Sequence, residues 1–200
     1  MTNDSCKTAE LSIDLARLSE GEREEMIALG ILSKEDCILP YIPVPVQRKR
    51  PLIHKRAAHA PQVLNEAYNY SPRPSSFSRG LCVDMNGITM LFVSGTASVD
   101  EAGKTAHVGD FRAQCWRTYR NITGILVSEG MTWHDVVRTT CYLRDIERDY
   151  QDFNEVRTAF FRWLGLDPLP ASTGVQARLC REELLVEIEV IAVSPSNSKD

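Results

Sequence analysis

The chain has 200 residues, of which 43% are hydrophobic and 25% are charged, as is ordinary for a globular protein with a substantial core. Its formal net charge of −4 at pH 7 gives no general attraction to nucleic acid or to an anionic membrane. No apolar run approaches the roughly 20 residues that span a bilayer, and the first residues, MTNDSCKTAE, lack the apolar region of a signal peptide. We therefore expect a cytoplasmic protein that does not bind membranes.

The six cysteines and four histidines are scattered along the chain, without a CxxC pair or any spacing typical of a zinc site. This pattern predicts free thiols, no metal and no cofactor. Cys115 and Cys141 fall at apolar positions of their predicted elements, so we expect them to fill the core.

Residues 1–70 differ in character from the rest and are predicted to be an N-terminal extension, followed by a domain over residues 71–200. Within the extension, LSEGEREEMIALGIL predicts a short helix. Ser19 and Glu22, three residues apart, have the pattern of a capping box, and Gly30 is placed to end the helix.

A proline-rich basic arm, LPYIPVPVQRKRPLIHKRAAHAP, follows that helix and is predicted to be extended. Its positive residues, with no acid between them, are Arg48, Lys49, Arg50, Lys55 and Arg56. Such a run indicates either a nuclear signal or nucleic-acid contact, or a solvated arm lying against an acidic neighbouring surface. We favour the second interpretation, because prolines interrupt the run and the chain as a whole is acidic.

Regular periodicity begins near residue 76. ITMLFVSG (88–95) predicts an apolar strand that ends at Gly95, and DVVRTTCYLRD predicts a strand rich in β-branched residues. Two amphipathic helices flank this second strand: Asp110 caps the first and Gly130 ends it, and Gly165 ends the other. The residues predicted to be buried are Phe111, Cys115, Tyr119, Ile122 and Leu126 in the first helix and Phe153, Val156, Phe160 and Leu164 in the second.

The last two predicted strands, STGVQARLC and ELLVEIEVIAV, are separated by a short polar turn, so we predict that they form a hairpin. The order strands, helix, strand, helix, strand, strand is typical of an α+β fold in which two helices pack on one face of a mixed β-sheet.

Four pieces of the chain, in this order and at matching spacing, resemble the Rid superfamily, also called the YjgF family: LFVSGTASVD, RAQCWRTYRNITGILVSEGMTWHDVVRTTCYLRD, DFNEVRTAFF and LLVEIEVIAV. The stretch SGTAS…TAHVGDFRAQ also resembles the chorismatases, larger enzymes of the same fold that hydrolyse chorismate. The best-studied Rid proteins hydrolyse reactive enamines and imines. The resemblance covers residues 76–194 and leaves residues 1–70 unmatched.

The resemblance implies a chorismate-mutase-like fold, a homotrimer, and clefts between subunits that bind a small carboxylic acid. Trimer formation is also physically sensible, because a sheet face without helices is too apolar to leave in water.

Deaminating Rid enzymes carry an arginine just after the proline-alanine step that opens the penultimate strand, and this arginine grips the substrate carboxylate. Here the stretch is PASTGVQARL, so Ser172 and Thr173 stand where the arginine is expected. Neither hydroxyl supplies a positive charge, which predicts weak enamine or imine deaminase activity. Arg79, Arg144 and Arg178 are candidates for a replacement cation, and Arg178 is preferred because it lies on the same predicted strand.

Other positions match the ligand cleft of the family. Glu187 matches a final-strand glutamate associated with holding a water, and we predict a catalytic set of Glu187, Ser172 and Thr173. The predicted ligand-binding residues are Phe77, Gly95, Thr96, Asn154 and Arg178. Structural alternatives remain open, because Gly95 fits a turn, Asn154 a solvated amide and Glu187 a solvated strand face. A general-base role for His107 is less favoured.

Three functions are compatible with these residues. The first is hydrolysis of a small unsaturated, imino or enol acid, with Glu187 as general acid or base. The second is non-catalytic binding of a small metabolite by a trimer. The third is an endoribonuclease or translation-inhibitor function, and it is the least favoured because the basic arm lacks the interleaved aromatic residues that stack on bases.

Overall fold

The computed structural model describes residues 14–40, 53–69 and 74–196, and the chain divides into two compact units, residues 1–50 and 51–200. The first unit contains α1 (Glu20–Ala28), which begins with the predicted capping box of Ser19 and Glu22. Gly30 has φ +70° just after the helix end, as expected of a glycine that stops a helix. Of the basic arm, residues 48–50 lie outside the described residues.

The second unit is built on one six-stranded mixed sheet. The strands are β1 (Ile53–Ala58), β2 (Gly80–Met85), β3 (Ile88–Ala97), β4 (Val136–Leu143), β5 (Ala171–Gln176) and β6 (Val186–Pro195). Their order across the sheet is β1-β2-β3-β6-β4-β5, and every neighbouring pair is antiparallel except β4 and β5. The predicted α+β class is confirmed.

Two helices, α2 (Phe111–Ser128) and α3 (Ile146–Leu164), supply the hydrophobic side chains that cover one face of this sheet. Asp110 caps α2, and Gly165, in the left-handed conformation, ends α3. The predicted buried residues of both helices lie in one core with inward side chains of β3, β4 and β6, although Leu164 is only partly buried. Cys115 and Cys141 belong to this core, as predicted. None of the helices in the described ranges is long and apolar enough to cross a membrane.

The predicted hairpin between the last two strands is wrong. Helix α3 connects β4 to β5, and this crossover lays β5 parallel to β4 at the edge of the sheet. Strand β6 instead lies between β3 and β4 and is antiparallel to both. Residues 177–185 form a loop between β5 and β6, so Arg178 belongs to no strand.

Strand β1 comes from the stretch that the sequence indicates is a basic arm. It pairs with β2, and the Arg56 guanidinium contacts the carboxylates of Glu129 and Asp84. This part of the arm does lie against acidic groups, and the sheet begins before the predicted domain start at residue 71.

The sheet face that does not carry α2 and α3, here called the open face, exposes several apolar side chains. Burial alternates along β6, with Val186, Ile188 and Val190 buried and the intervening residues half-buried. On the open face the side chains of Leu81, Phe92 and Val175 are 37%, 38% and 39% exposed. The loop of residues 177–185 covers one end of this face, where Leu179 and Leu184 pack on Ala97.

Candidate functional site

A β-bulge in β3 positions the central glutamate of the site. Pairing with β6 shifts register between Val93 and Thr96, so β3 continues past Gly95 to Ala97 rather than ending at Gly95 as predicted. The Glu187 carboxyl fills the space at the bulge: a Cβ atom added to Gly95 would lie 2.0 Å from Glu187 Oε1. The glycine is therefore needed because its missing side chain leaves room for this carboxyl group.

The Glu187 carboxyl is partly withdrawn from water on the open face of β6. Burial raises the pKa of Glu187 above its ordinary value, the negative charge of Glu189 raises it further, and Arg79 lowers it. Glu189 is engaged elsewhere, since the Tyr142 hydroxyl donates to its Oε2 at 2.8 Å. Glu187 is thus the carboxyl of this pair that is suited to exchange a proton with a bound molecule.

An open cavity of about 870 Å³ lies in front of Glu187, within the range typical of small-molecule sites. Phe77, Gly95 and Glu187 all line it, so the structure brings these three predicted residues together. Arg79 lines it as well; its side chain is 3% exposed, and its guanidinium carbon lies 5.6 Å from the centre of the Phe77 ring.

One wall of the cavity comes from the segment before β2, which the sequence placed in the extension. Asn65 and Asn69 line the cavity, and Arg79 Nε donates to the Asn65 carbonyl oxygen at 2.9 Å. The buried Oδ1 of Asn65 has no hydrogen-bond donor among the described residues.

The opposite wall is the loop of residues 177–185, and several side chains fix its backbone. Arg144 donates to the carbonyl oxygens of Leu184 and Arg181, and buried Gln114 donates to the carbonyl oxygen of Glu183 at 2.8 Å. Arg181 Nη1 then donates to the Gly103 carbonyl oxygen at 2.6 Å, which ties this loop to the loop that follows β3. Arg144, a predicted candidate cation, thus braces the backbone of the loop.

A second group of predicted residues lies apart from this cavity, on the helix side of β5. Ser172 pairs with Thr139 across the sheet and accepts a hydrogen bond from the Thr139 hydroxyl at 3.0 Å. Arg157 of α3 donates from Nη1 to Ser172 Oγ at 3.1 Å and from Nη2 to Asn154 Oδ1. Ser172 and Asn154 are therefore joined through Arg157, and in the single chain Ser172 does not face Glu187 as predicted.

The remaining predicted residues are dispersed. Thr173 points to the open face, where its hydroxyl accepts from Arg138 at 3.1 Å. Thr96 is buried on the core side and donates to the Ser94 carbonyl oxygen. Arg178 and His107 are exposed loop residues that do not line the cavity.

The buried thiols are poor nucleophiles, and the part of the chain that the structure describes holds no metal-binding cluster. No group of three or more histidine, cysteine or acidic side chains there is arranged to hold a metal ion. Burial raises the pKa of the Cys82 thiol to about 12 and raises that of Cys141, so both stay protonated near neutral pH.

Sequence reasoning missed Arg157 and Asn65. Arg157 stands three residues after Asn154, on the same side of α3, and this spacing is the signal that was available. Asn65 precedes the recognisable domain and carries no comparable signal.

Comparison with known proteins agrees with this fold. The family described as Endoribonuclease L-PSP matches residues 71–194, more than half of the chain. The chain belongs to this family, the Rid superfamily.

Individual Rid relatives are moderately similar to it. A RutC family protein of Aquifex aeolicus is 31% identical over 112 residues, which are 56% of this chain and 84% of the relative. The 3-aminoacrylate deaminase RutC of Acinetobacter baylyi is 33% identical over 103 residues, 52% of this chain and 78% of the relative. The crystal structure of the YjgF gene product from E. coli superposes with a TM-score of 0.56 at 24% identity, covering 69% of this chain and 98% of that one. At this identity the likeness shows the fold.

Replacing Glu187 by glutamine is expected to raise the melting temperature by a few degrees near neutral pH and to leave it unchanged below about pH 4. Because burial raises the pKa of Glu187 in the folded protein, the stability that its protonated form contributes is complete below the unfolded pKa and is lost as pH rises through the folded pKa. Glutamine does not ionise, so the variant does not lose this stability as the pH rises. Thermal unfolding at both pH values measures this, with exposed Glu182→Gln as the control. An equal change at both pH values would contradict it.

Gly95→Ala is expected to displace the Glu187 carboxyl and to lower the melting temperature, because the new methyl group overlaps Oε1. In a Glu187→Ala background the same change at residue 95 should have little effect, since the three nearest atoms to the added Cβ all belong to Glu187. A double-mutant cycle of unfolding free energies measures the coupling. Additive effects would show that the glycine is needed for another reason.

Proposed function

We propose that this Rid protein is a hydrolase for a small unsaturated acid, an imino or enol acid, and that Glu187 is its general acid and base. The observation that carries the proposal is the half-buried Glu187 carboxyl, seated at the Gly95 bulge in front of a cavity of about 870 Å³. Burial raises the pKa of this carboxyl, so it holds a proton to a higher pH than an exposed glutamate and can return that proton to a bound molecule.

For an imine, the proposed reaction adds water to the carbon of the C=N bond. Glu187 passes the two water protons in turn to the nitrogen, the C–N bond breaks as the carbonyl forms, and the products are a 2-oxo acid and ammonia. No other reactant is needed for the atoms to balance. The reaction class is supported by the relative from Acinetobacter baylyi, 33% identical, whose name is 3-aminoacrylate deaminase.

We also propose that the site is completed by assembly into a trimer, which stays a prediction. Two observations support it: the open face exposes apolar side chains such as Leu81 and Phe92, and Ser172 lies apart from Glu187 within one chain. An interface over the open face buries the first group and provides a way for a neighbouring subunit to bring its β5 edge toward Glu187.

Non-catalytic binding of a small metabolite is the alternative, and the same cavity supports it. A hydrolase loses turnover when the titratable proton of Glu187 is removed, whereas a non-catalytic binder has no turnover to lose. For an RNA-directed function the described residues offer less, because Arg56, from the basic arm, is already paired with Glu129 and Asp84.

Glu187→Gln keeps the shape of the side chain and removes its titratable proton. We expect it to abolish hydrolysis while changing ligand affinity by no more than about 1 kcal/mol, the worth of one altered hydrogen bond. Metabolites that stabilise the wild type in a thermal-shift screen are then assayed for turnover with the wild type, Glu187→Gln and the control Glu182→Gln. A metabolite consumed equally fast by all three proteins removes Glu187 from the mechanism, and binding without turnover by the wild type favours the binder.

The wild type is expected to be a trimer at micromolar concentration in light scattering. Phe92→Asp places a charge on the open face and should shift the protein to monomers, because a desolvated carboxylate opposes burial of that face. Val127→Asp is the matched control, on α2 and 62% exposed, and should leave the trimer intact. A monomeric wild type would remove both the assembly and the shared site.

A further inference from the structure

Arg157 differs from most other arginines of α2 and α3 because no counter-ion lies beside it among the described residues. Of the other arginines on α2 and α3, Arg112 contacts Asp152 and Glu155, Arg117 and Arg120 contact Glu101, and Arg148 contacts Asp149. Among the described residues no carboxylate lies within 4.0 Å of the Arg157 guanidinium, which donates hydrogen bonds to the neutral oxygens of Ser172 and Asn154. It is a half-buried positive charge that no anion in the described ranges balances.

Arg157 is nevertheless held in one place. Nη1 donates to Ser172 Oγ and Nη2 to Asn154 Oδ1, and the guanidinium carbon lies 5.1 Å from the centre of the Phe153 ring. Ser172 is in turn fixed by the Thr139 hydroxyl. Ordering a long side chain costs entropy, so a cation already fixed by neutral partners binds an anion with less loss than a mobile one.

The place in which Arg157 is held is accessible. Ser172 lies on β5, the edge strand of the sheet, whose six residues are all exposed. Ser172 and Asn154 use two of the five N–H groups of the guanidinium, and the group is planar, which suits a carboxylate.

We propose that Arg157 is the cation that binds the carboxylate of the ligand. It replaces the family arginine, at whose position this chain has the uncharged Ser172. This inference rests on the function proposed above, because it assigns the binding residue for the acid group of that substrate. Ser172 and Asn154 then position the guanidinium rather than react.

The other candidate cations are less suited to this part. Arg144 is committed to carbonyl oxygens of the loop of residues 177–185, and Arg178 is an exposed residue of that loop and belongs to no strand. Arg79 is buried beside Glu187, so the negative charge of that carboxyl already balances it in part. Arg144 is likewise fixed and has no carboxylate partner among the described residues, but it holds the backbone of the loop, whereas Arg157 lies beside Ser172, at the position of the missing family arginine.

The test compares pyruvate with pyruvamide, which has the same shape and no charge, by titration calorimetry. Arg157→Gln should weaken pyruvate binding roughly 10- to 100-fold, as expected from losing hydrogen bonds to a charged group, and leave pyruvamide binding within about twofold. Arg162→Gln, an exposed arginine on the same helix, should change neither. Adding Ser172→Arg to Arg157→Gln should restore pyruvate affinity, because it returns the cation to the adjacent position.

Three results would overturn the inference: unchanged pyruvate affinity in Arg157→Gln, an equal loss for pyruvamide, which indicates a structural role, or no pyruvate binding by the wild type at millimolar concentration. Turnover assays on the same proteins separate this inference from the proposed function. Arg157-dependent binding without hydrolysis leaves the inference standing and removes the hydrolase. If Arg157→Gln leaves hydrolysis unchanged, the proposed hydrolase stands and this inference is removed.

Discussion

The site depends on one steric relation, the Glu187 carboxyl lying where a side chain on residue 95 would otherwise stand. The bulge in β3 creates that space. It also turns Thr96 to the core and Ala97 to the open face, so one backbone irregularity positions both of these side chains and the Glu187 carboxyl. Because the carboxyl is pressed against backbone and away from water, its proton affinity follows from the packing of two strands.

Much of the fold can be predicted from the sequence, because its signals are local. The caps at Ser19 and Asp110, the stop at Gly165 and the buried faces of α2 and α3 follow from spacing within each helix. The strand pairing of β5 and β6 cannot be predicted in this way. Alternation identifies a strand but not its partner, and here a crossover helix carries β5 to the edge while β6 enters between β3 and β4.

The site residues likewise divide into those that the sequence identifies and those that only tertiary packing brings together. Gly95, Phe77 and Glu187 are brought together, and the sequence identifies them because each lies at a position the family resemblance marks. Ser172 and Asn154 meet through an arginine from another element, and no spacing along the chain reveals a contact between α3 and β5. The penultimate strand itself carries no cation at Ser172, and the packing of α3 against β5 brings Arg157 beside it.

The wall that contains Asn65 lies before residue 71, where the family match begins. It touches the rest of the cavity at few points: the Asn65 carbonyl holds Arg79, and its amide lies within 2.9 Å of where a side chain on Gly103 would begin. Substitution of Asn65 would alter the polarity and width of the cavity at this wall, while the adjacent Leu64, fully buried, keeps the segment packed in the core. In this chain, that cavity wall can therefore vary separately from the Glu187 carboxyl, in a part of the sequence that lies outside the family match.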